Sequence, residues 1–222
     1  MRLKKLLLAV LLLWSGTQVV HAQGVVLGEA VCGSLTNHFG PYDYRTVSPQ
    51  NLNMVERAHF TPPVERLERG NTTMGPGGDL SYTLNVFPNH HRALMSMMRF
   101  ALREGRAMPK GSSRTIECWF DRAQRYAPND PMPKVIEGLY LAARGQNAQA
   151  EAKLDEALAL EPADPNVHYN LGLAWMDLRR YDRALESAHK AYAAGHPLPG
   201  LRLRLERAGH WRELPAAGAP VQ

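Results

Sequence analysis

The sequence predicts an all-α fold: a short helical solenoid of about three helix pairs plus a capping helix, wrapped by an irregular N-terminal coat segment. Three observations predict it. Residues 131–198 repeat themselves at a 34-residue period. Residues 88–130 carry apolar side chains at helical spacing. Residues 23–87 are instead broken by glycines and prolines that leave little room for a long helix.

Taken from the start, residues 1–22 read as a secretory signal peptide. Arg2, Lys4 and Lys5 precede the apolar run Leu6–Trp14, and Val20-His21-Ala22 offers a small-residue cleavage site. The run is too short for a permanent membrane anchor. Residues 1–22 hold three of the 26 Lys and Arg and none of the 21 Asp and Glu, leaving 23 basic against 21 acidic residues, near +2. The basic character is therefore partly the leader's, and nothing points to nucleic acid. The expected location is periplasmic or secreted, with no stable membrane anchor after cleavage. Cys32 and Cys118 are the two cysteines. An even pair in an oxidising compartment reads as a disulfide, stapling the coat to the first helical pair. No CxxCH is present, which excludes covalent c-type haem.

In residues 23–87, Asn51–Phe60 reads as a strand and Leu80–Phe87 as extended chain, with a helical turn or two from Pro62 to Glu68 between them. Gly75-Pro76-Gly77-Gly78 reads as a turn, because it lacks the Lys-Ser/Thr of a phosphate loop. The aromatics Phe39, Tyr42, Tyr44, Phe60, Tyr82 and Phe87 argue for an ordered coat.

The helical domain is expected over 88–210, with a tail from 211 to 222. A helix starts at Pro88 or Asn89 and runs to about Arg103, burying Leu94, Met97, Met98 and Ala101. Its partner runs from Thr115 to about Arg125. Four helices then follow near 132–144, 148–160, 166–178 and 182–194, closed by an amphipathic helix through Leu201 and Leu205.

With Pro131 as position 1, Gly138 falls at 8, Ala150 at 20, Leu154 at 24, Ala157 at 27 and Pro162 at 32. With Pro165 as position 1, Leu171, Gly172, Trp175, Tyr181, Ala184 and Ala191 fall at 7, 8, 11, 17, 20 and 27. These two units resemble the tetratricopeptide repeat (TPR), and the stretches Phe39-Gly40-Pro41-Tyr42-Asp43-Tyr44-Arg45, Gly78-Asp79-Leu80 and Phe87–Arg92 resemble those of exported bacterial TPR proteins. Arg179 and His196 stand where Gly and Pro are usual. Residues 88–130 resemble a degenerate first unit with a lengthened turn. The resemblance implies a groove along the first helices of the units. Its binding residues would be Leu139, Asn166, Tyr169, Leu173, Met176 and Asp177, with Tyr169 as the aromatic anchor. That groove either receives a segment of another protein or is filled by the coat.

The sequence thus predicts a non-catalytic scaffold binding another envelope or secreted protein, without cofactor. Among Asp43, Glu56, Glu65, Asp79 and Asp121 no pair has a spacing tied to a known chemistry, and no GxSxG or HExxH occurs. A different class of function is a metal- or haem-binding periplasmic protein using His90, His91 and coat residues. Adjacent histidines point about 100° apart on a helix and so seldom share one metal.

Overall fold

The computed structural model describes residues 27–160 and 162–213, and among these the chain forms eleven helices and no strand. The leader expected at 1–22 and the end of the tail lie outside them. The repeat region follows the sequence closely: α7 is Pro131–Ala143, α8 Asn147–Leu158, α9 Pro165–Asp177 and α10 Tyr181–Ala193, each within two residues of expectation. Asp130 and Asp164 cap the first helix of each pair. Their carboxylates accept the N–H of Met132 (3.1 Å) and Asn166 (2.8 Å), with proline following at the first helical position. The closing helix α11 spans Gly200–Arg207 and buries Leu201 and Leu205. Pro199 stands 34 residues beyond Pro165, so α11 occupies the place of a third orthodox first helix.

The small residues do the spacing work expected of them, with one shift. A Cβ placed on Gly138 would lie 2.6 Å from Leu154 Cδ2, within its own unit. At Gly172 the nearest atom is instead Leu201 Cδ2 of α11, 2.3 Å from that position. The closing helix, not the unit's own second helix, makes the tightest approach there. Gly172→Leu is accordingly expected to cost about 1–3 kcal/mol by overpacking, loosening α11 first. Arg179→Ala, exposed at the end of α9, should change stability by less than about 0.5 kcal/mol. Equal melting shifts for the two variants would overturn this packing account. Arg179 itself adopts the left-handed φ of 57°, where the preceding unit has Gly145 at 74°.

The first pair is α5, His91–Glu104, and α6, Ile116–Tyr126. α5 starts later than Pro88 or Asn89, and His90 caps it: its Nδ1 accepts the Ala93 N–H at 3.1 Å. Thr115 caps α6 by accepting the Cys118 N–H at 3.3 Å.

The N-terminal segment departs most from the sequence-based expectation, because its supposed strands are helices. Residues 49–59 form α2, opened by Ser48, whose hydroxyl accepts the Asn51 N–H at 3.3 Å, and by Pro49. Residues 76–86 form α4, which begins inside the supposed turn at Pro76. Leu80, Ser81, Thr83, Leu84 and Val86 are all buried, so α4 is covered on more than one face and its apolar pattern mimics strand alternation. Gly77 reads as a helix breaker, yet a Cβ there would sit 2.2 Å from Lys110 O. Only glycine lets the first turn of α4 lie against the 107–113 loop. The remaining elements are α1, Gly28–Cys32, and α3, Pro62–Glu65.

These helices continue the stack. α2 packs on α4, α4 on α5, α5 on α6 and α7, and α7 on α8 and α9. One apolar core runs through it from Phe60 to Leu205. The coat adds a second cluster, in which Val55, Val86 and Phe87 are surrounded by Phe39, Tyr42, Tyr44, Leu52 and Tyr82. Five of the six aromatic residues that argued for order pack in this cluster, and Phe60 joins the main core.

Cys32 and Cys118 are bonded, with Cα atoms 5.0 Å apart, joining α1 to α6. Three arginines reinforce that junction. Arg122 Nη1 donates to the carbonyls of Gly33 (3.2 Å) and Ser34 (2.5 Å), Arg114 Nε to Cys32 O (3.1 Å) and Arg125 Nη2 to Gly33 O (3.1 Å). Arg122 is only 1% exposed. Burial, with Arg114 and Arg125 nearby, lowers its pKa to about 10. It therefore serves as a multiple donor to backbone carbonyls, over the Trp119 ring at 5.8 Å.

Candidate partner-binding face

The first helices α5, α7, α9 and α11 stand side by side, and one face of each is its least buried. In α7 this face holds Leu139 and Ala142, half-buried, and Ala143, exposed. In α9 it holds Asn166 and Asp177, exposed, and Tyr169 and Leu173, half-buried, with Met176 beneath them at 8% exposure. Leu139, Tyr169 and Leu173 all pack on the main core. The predicted groove residues therefore share one surface.

Among the described residues, the ring and hydroxyl of Tyr169 meet the turn that leads into α11 rather than the coat. Its ring stacks on His196, centroids 4.0 Å apart and planes 12° apart. Its hydroxyl lies 2.7 Å from where a Cβ on Gly200 would be. The anchor is thus backed by the turn between α10 and α11. Asp177 is paired with Arg204 of α11 at 2.6 Å. The Asn166 amide is turned back to Asp164 at 2.9 Å. These two polar residues are tied to their own chain rather than left as free rim contacts.

The coat instead settles on α5. Arg92 is bonded to Glu65 (2.5 Å), Ser96 Oγ donates to Glu65 O (3.0 Å) and Arg103 Nη1 to Leu67 O (3.0 Å). The α3 segment therefore borders the α5 end of the face.

Sequence reasoning missed the two ends of the face. At the α11 end, Leu203 is 42% exposed and Arg207 is exposed one turn further on. At the α5 end lie Met95 and Leu102, half-buried, and Arg99, exposed. The signal was present. Continuing the 34-residue spacing from Pro165 to Pro199 puts Leu203 level with Tyr169.

His90 and His91 do not form a metal site. His90 is fully buried between the rings of Tyr44 (4.1 Å) and Phe60 (4.8 Å). Its Nδ1 accepts the cap hydrogen bond and its Nε2 donates to Glu56 at 3.0 Å. Burial lowers its pKa, so the ring is neutral with both nitrogens occupied. His91 Nε2 turns the other way, to Asp130 at 2.8 Å. Among the described residues no three His, Cys, Asp or Glu side chains are grouped to hold a metal ion. Met97 and Met98 are buried in the core, as gap-filling methionines are.

The acidic candidates are occupied as hydrogen-bond acceptors. Burial of Asp79 disfavours its charge. Hydrogen bonds from the Thr72 hydroxyl, the Asn71 N–H (2.8 Å), His59 (2.9 Å) and the Thr73 hydroxyl (2.9 Å) outweigh that effect and hold it at about 2. It fastens the 70–75 loop. The Arg45 guanidinium holds Asp43 well below the usual carboxylate range. Glu56 meets His90, Glu65 meets Arg92, and Asp121 meets Arg125 at 2.8 Å. A cleft of about 450 Å³ is walled by His189, Tyr192, His196, Arg202 and Trp211, and His196 is also the ring on which Tyr169 stacks. There Arg202 and the Trp211 indole N–H both donate to Glu213.

A family model described as a TPR repeat matches residues 138–178, from Gly138 in α7 to Leu178 at the end of α9. The match supports a TPR protein, in agreement with the all-helical stack. No curated protein and no solved structure matches the chain.

Proposed function

We propose that the protein is an exported, non-catalytic scaffold that holds another envelope or secreted protein along the exposed face of α7, α9 and α11. The observation carrying this reading is the half-exposed apolar strip of Leu139, Leu173, Tyr169 and Leu203, which remains on the surface while the coat packs on α5 and α6. Contiguous apolar surface of this kind marks interaction sites on otherwise soluble chains. The TPR match adds the general role of such repeats in protein–protein contact. Export is supported by the leader-like residues 1–22 and by a disulfide that joins both cysteines.

Leu203→Ala tests the face, because Leu203 protrudes and its removal opens no core cavity. Partner recovery from an envelope fraction is expected to weaken by about 1 kcal/mol or more, since interface energy concentrates in a few anchors. The melting temperature should hold. Tyr169→Ala, which strips the His196 stack, should lower it. Undiminished recovery with Leu203→Ala would sink the assignment of this face.

A further inference from the structure

We propose that the face takes a partner segment whose apolar centre is flanked at both ends by carboxylates; this rests on the assignment of the face made above. At the groove positions of the four first helices, Asp177 is the one acid, and Arg204 already neutralises it at 2.6 Å. The cations are distributed differently. Arg92, at the outer edge of α5, is satisfied by Glu65. Arg99 and Arg103 of α5 and Arg207 of α11 are exposed and belong to no ion pair among the described residues. Arg103 spends one N–H on Leu67 O and lies over the Phe100 ring at 5.0 Å, neither of which cancels its charge.

Apart from the Asp177–Arg204 pair, the middle of the face is uncharged and largely apolar: Leu139, Ala142 and Ala143 on α7, then Tyr169, Leu173 and Met176 on α9. Positive charge therefore stands at both ends of an apolar strip. From α5 to α11 there are three helix-to-helix steps of about 8–10 Å, or roughly 24–30 Å in all. An extended chain covers that distance in about eight or nine residues. Guanidinium groups match carboxylates in a two-pronged fashion, so acidic residues at the two ends of such a segment would fix its placement. Each exposed pair contributes little in water and is screened by salt, so the ends set charge preference while the apolar centre supplies most of the contact.

The test uses the full chain and three fluorescein-labelled peptides of about ten residues. They share a Leu/Ser centre and carry Glu, Gln or Lys at both ends. All are acetylated and amidated, so no terminal carboxylate takes part. Fluorescence anisotropy is expected to rank Glu-ended over Gln-ended over Lys-ended, with about a tenfold spread between the extremes at low salt. The double variant R99E/R207E should reverse that order while keeping the wild-type melting curve. Equal or tighter binding of the Lys-ended peptide overturns the inference, as does an unchanged order in the double variant. Failure of all three peptides to bind also overturns it. The Leu203→Ala recovery experiment reads the face independently. Recovery that depends on Leu203, together with any of those peptide results, discards the charge rule alone.

Discussion

Cys32→Ser is expected to lower stability by about 4 kcal/mol, the largest effect of any single substitution considered for this chain. The bridge closes a loop with a sequence separation of 86, and in the chain-entropy model a loop of that size restrains the unfolded state by about that amount. The loss should be local first. Proteolysis is expected to open residues 27–86 early and to leave α7 through α11 protected, because those helices share a core that runs on to Leu205 without the bridge. The arginines temper the result. Cys32 O, Gly33 O and Ser34 O are still gripped by Arg114, Arg122 and Arg125 after the sulfur–sulfur bond is gone. An unchanged melting curve, or simultaneous cleavage across the whole chain, would contradict this account.

Arg122→Leu is expected to cost about 1–3 kcal/mol, although it removes a charge from an apolar setting. Leucine fills part of the volume but leaves Ser34 O without its charged donor, at about 1–3 kcal/mol, while Cys32 O and Gly33 O keep Arg114 and Arg125. Asn85 Oδ1 loses its 3.3 Å bond from Arg122 Nη2 but keeps the one from Arg114 Nη1 at 3.1 Å. Arg122→Lys should recover little, since one ammonium cannot reproduce the planar fork. Arg125→Leu is the control: that side chain is only partly buried, and its loss should be plainly smaller. Chemical denaturation of the three variants reads the difference. If Arg122→Leu were neutral, the junction would owe its order to the disulfide alone.

The repeat region was legible because its chemistry is local. Pro131 and Pro165 open helices behind capping aspartates, and Gly138 and Ala150 mark the close contact inside a unit, so the periodicity carries the fold directly. The coat was misread where tertiary contacts set the residue choice. Gly77 reads as a turn residue in isolation. It is required because the backbone of Lys110, distant in sequence, crosses at its surface. Val55 and Val86, both β-branched, suit a strand by propensity, yet they pack against each other's helices in a cluster assembled from residues 39–87. The Ser48-Pro49 pair was a readable helix start and should have outweighed the strand pattern. For the candidate face, position within the repeat identified Leu139, Tyr169 and Leu173. It did not reveal that His196 backs Tyr169, because that contact is made by the turn leading into the next unit.

The Cys32–Cys118 bond also fixes how the molecule bears mechanical load. Tension applied at the N-terminal end passes along α1 to Cys32, crosses the sulfur–sulfur bond, and enters α6 at Cys118. From there it runs on through the paired helices toward α11. Residues 33–117 hang from this line as a covalently closed side loop and carry none of the force. A pull along the chain would therefore extend the repeats while α2, α4 and α5 stay slack, so the coat, least regular in sequence, lies within the part its own topology shields.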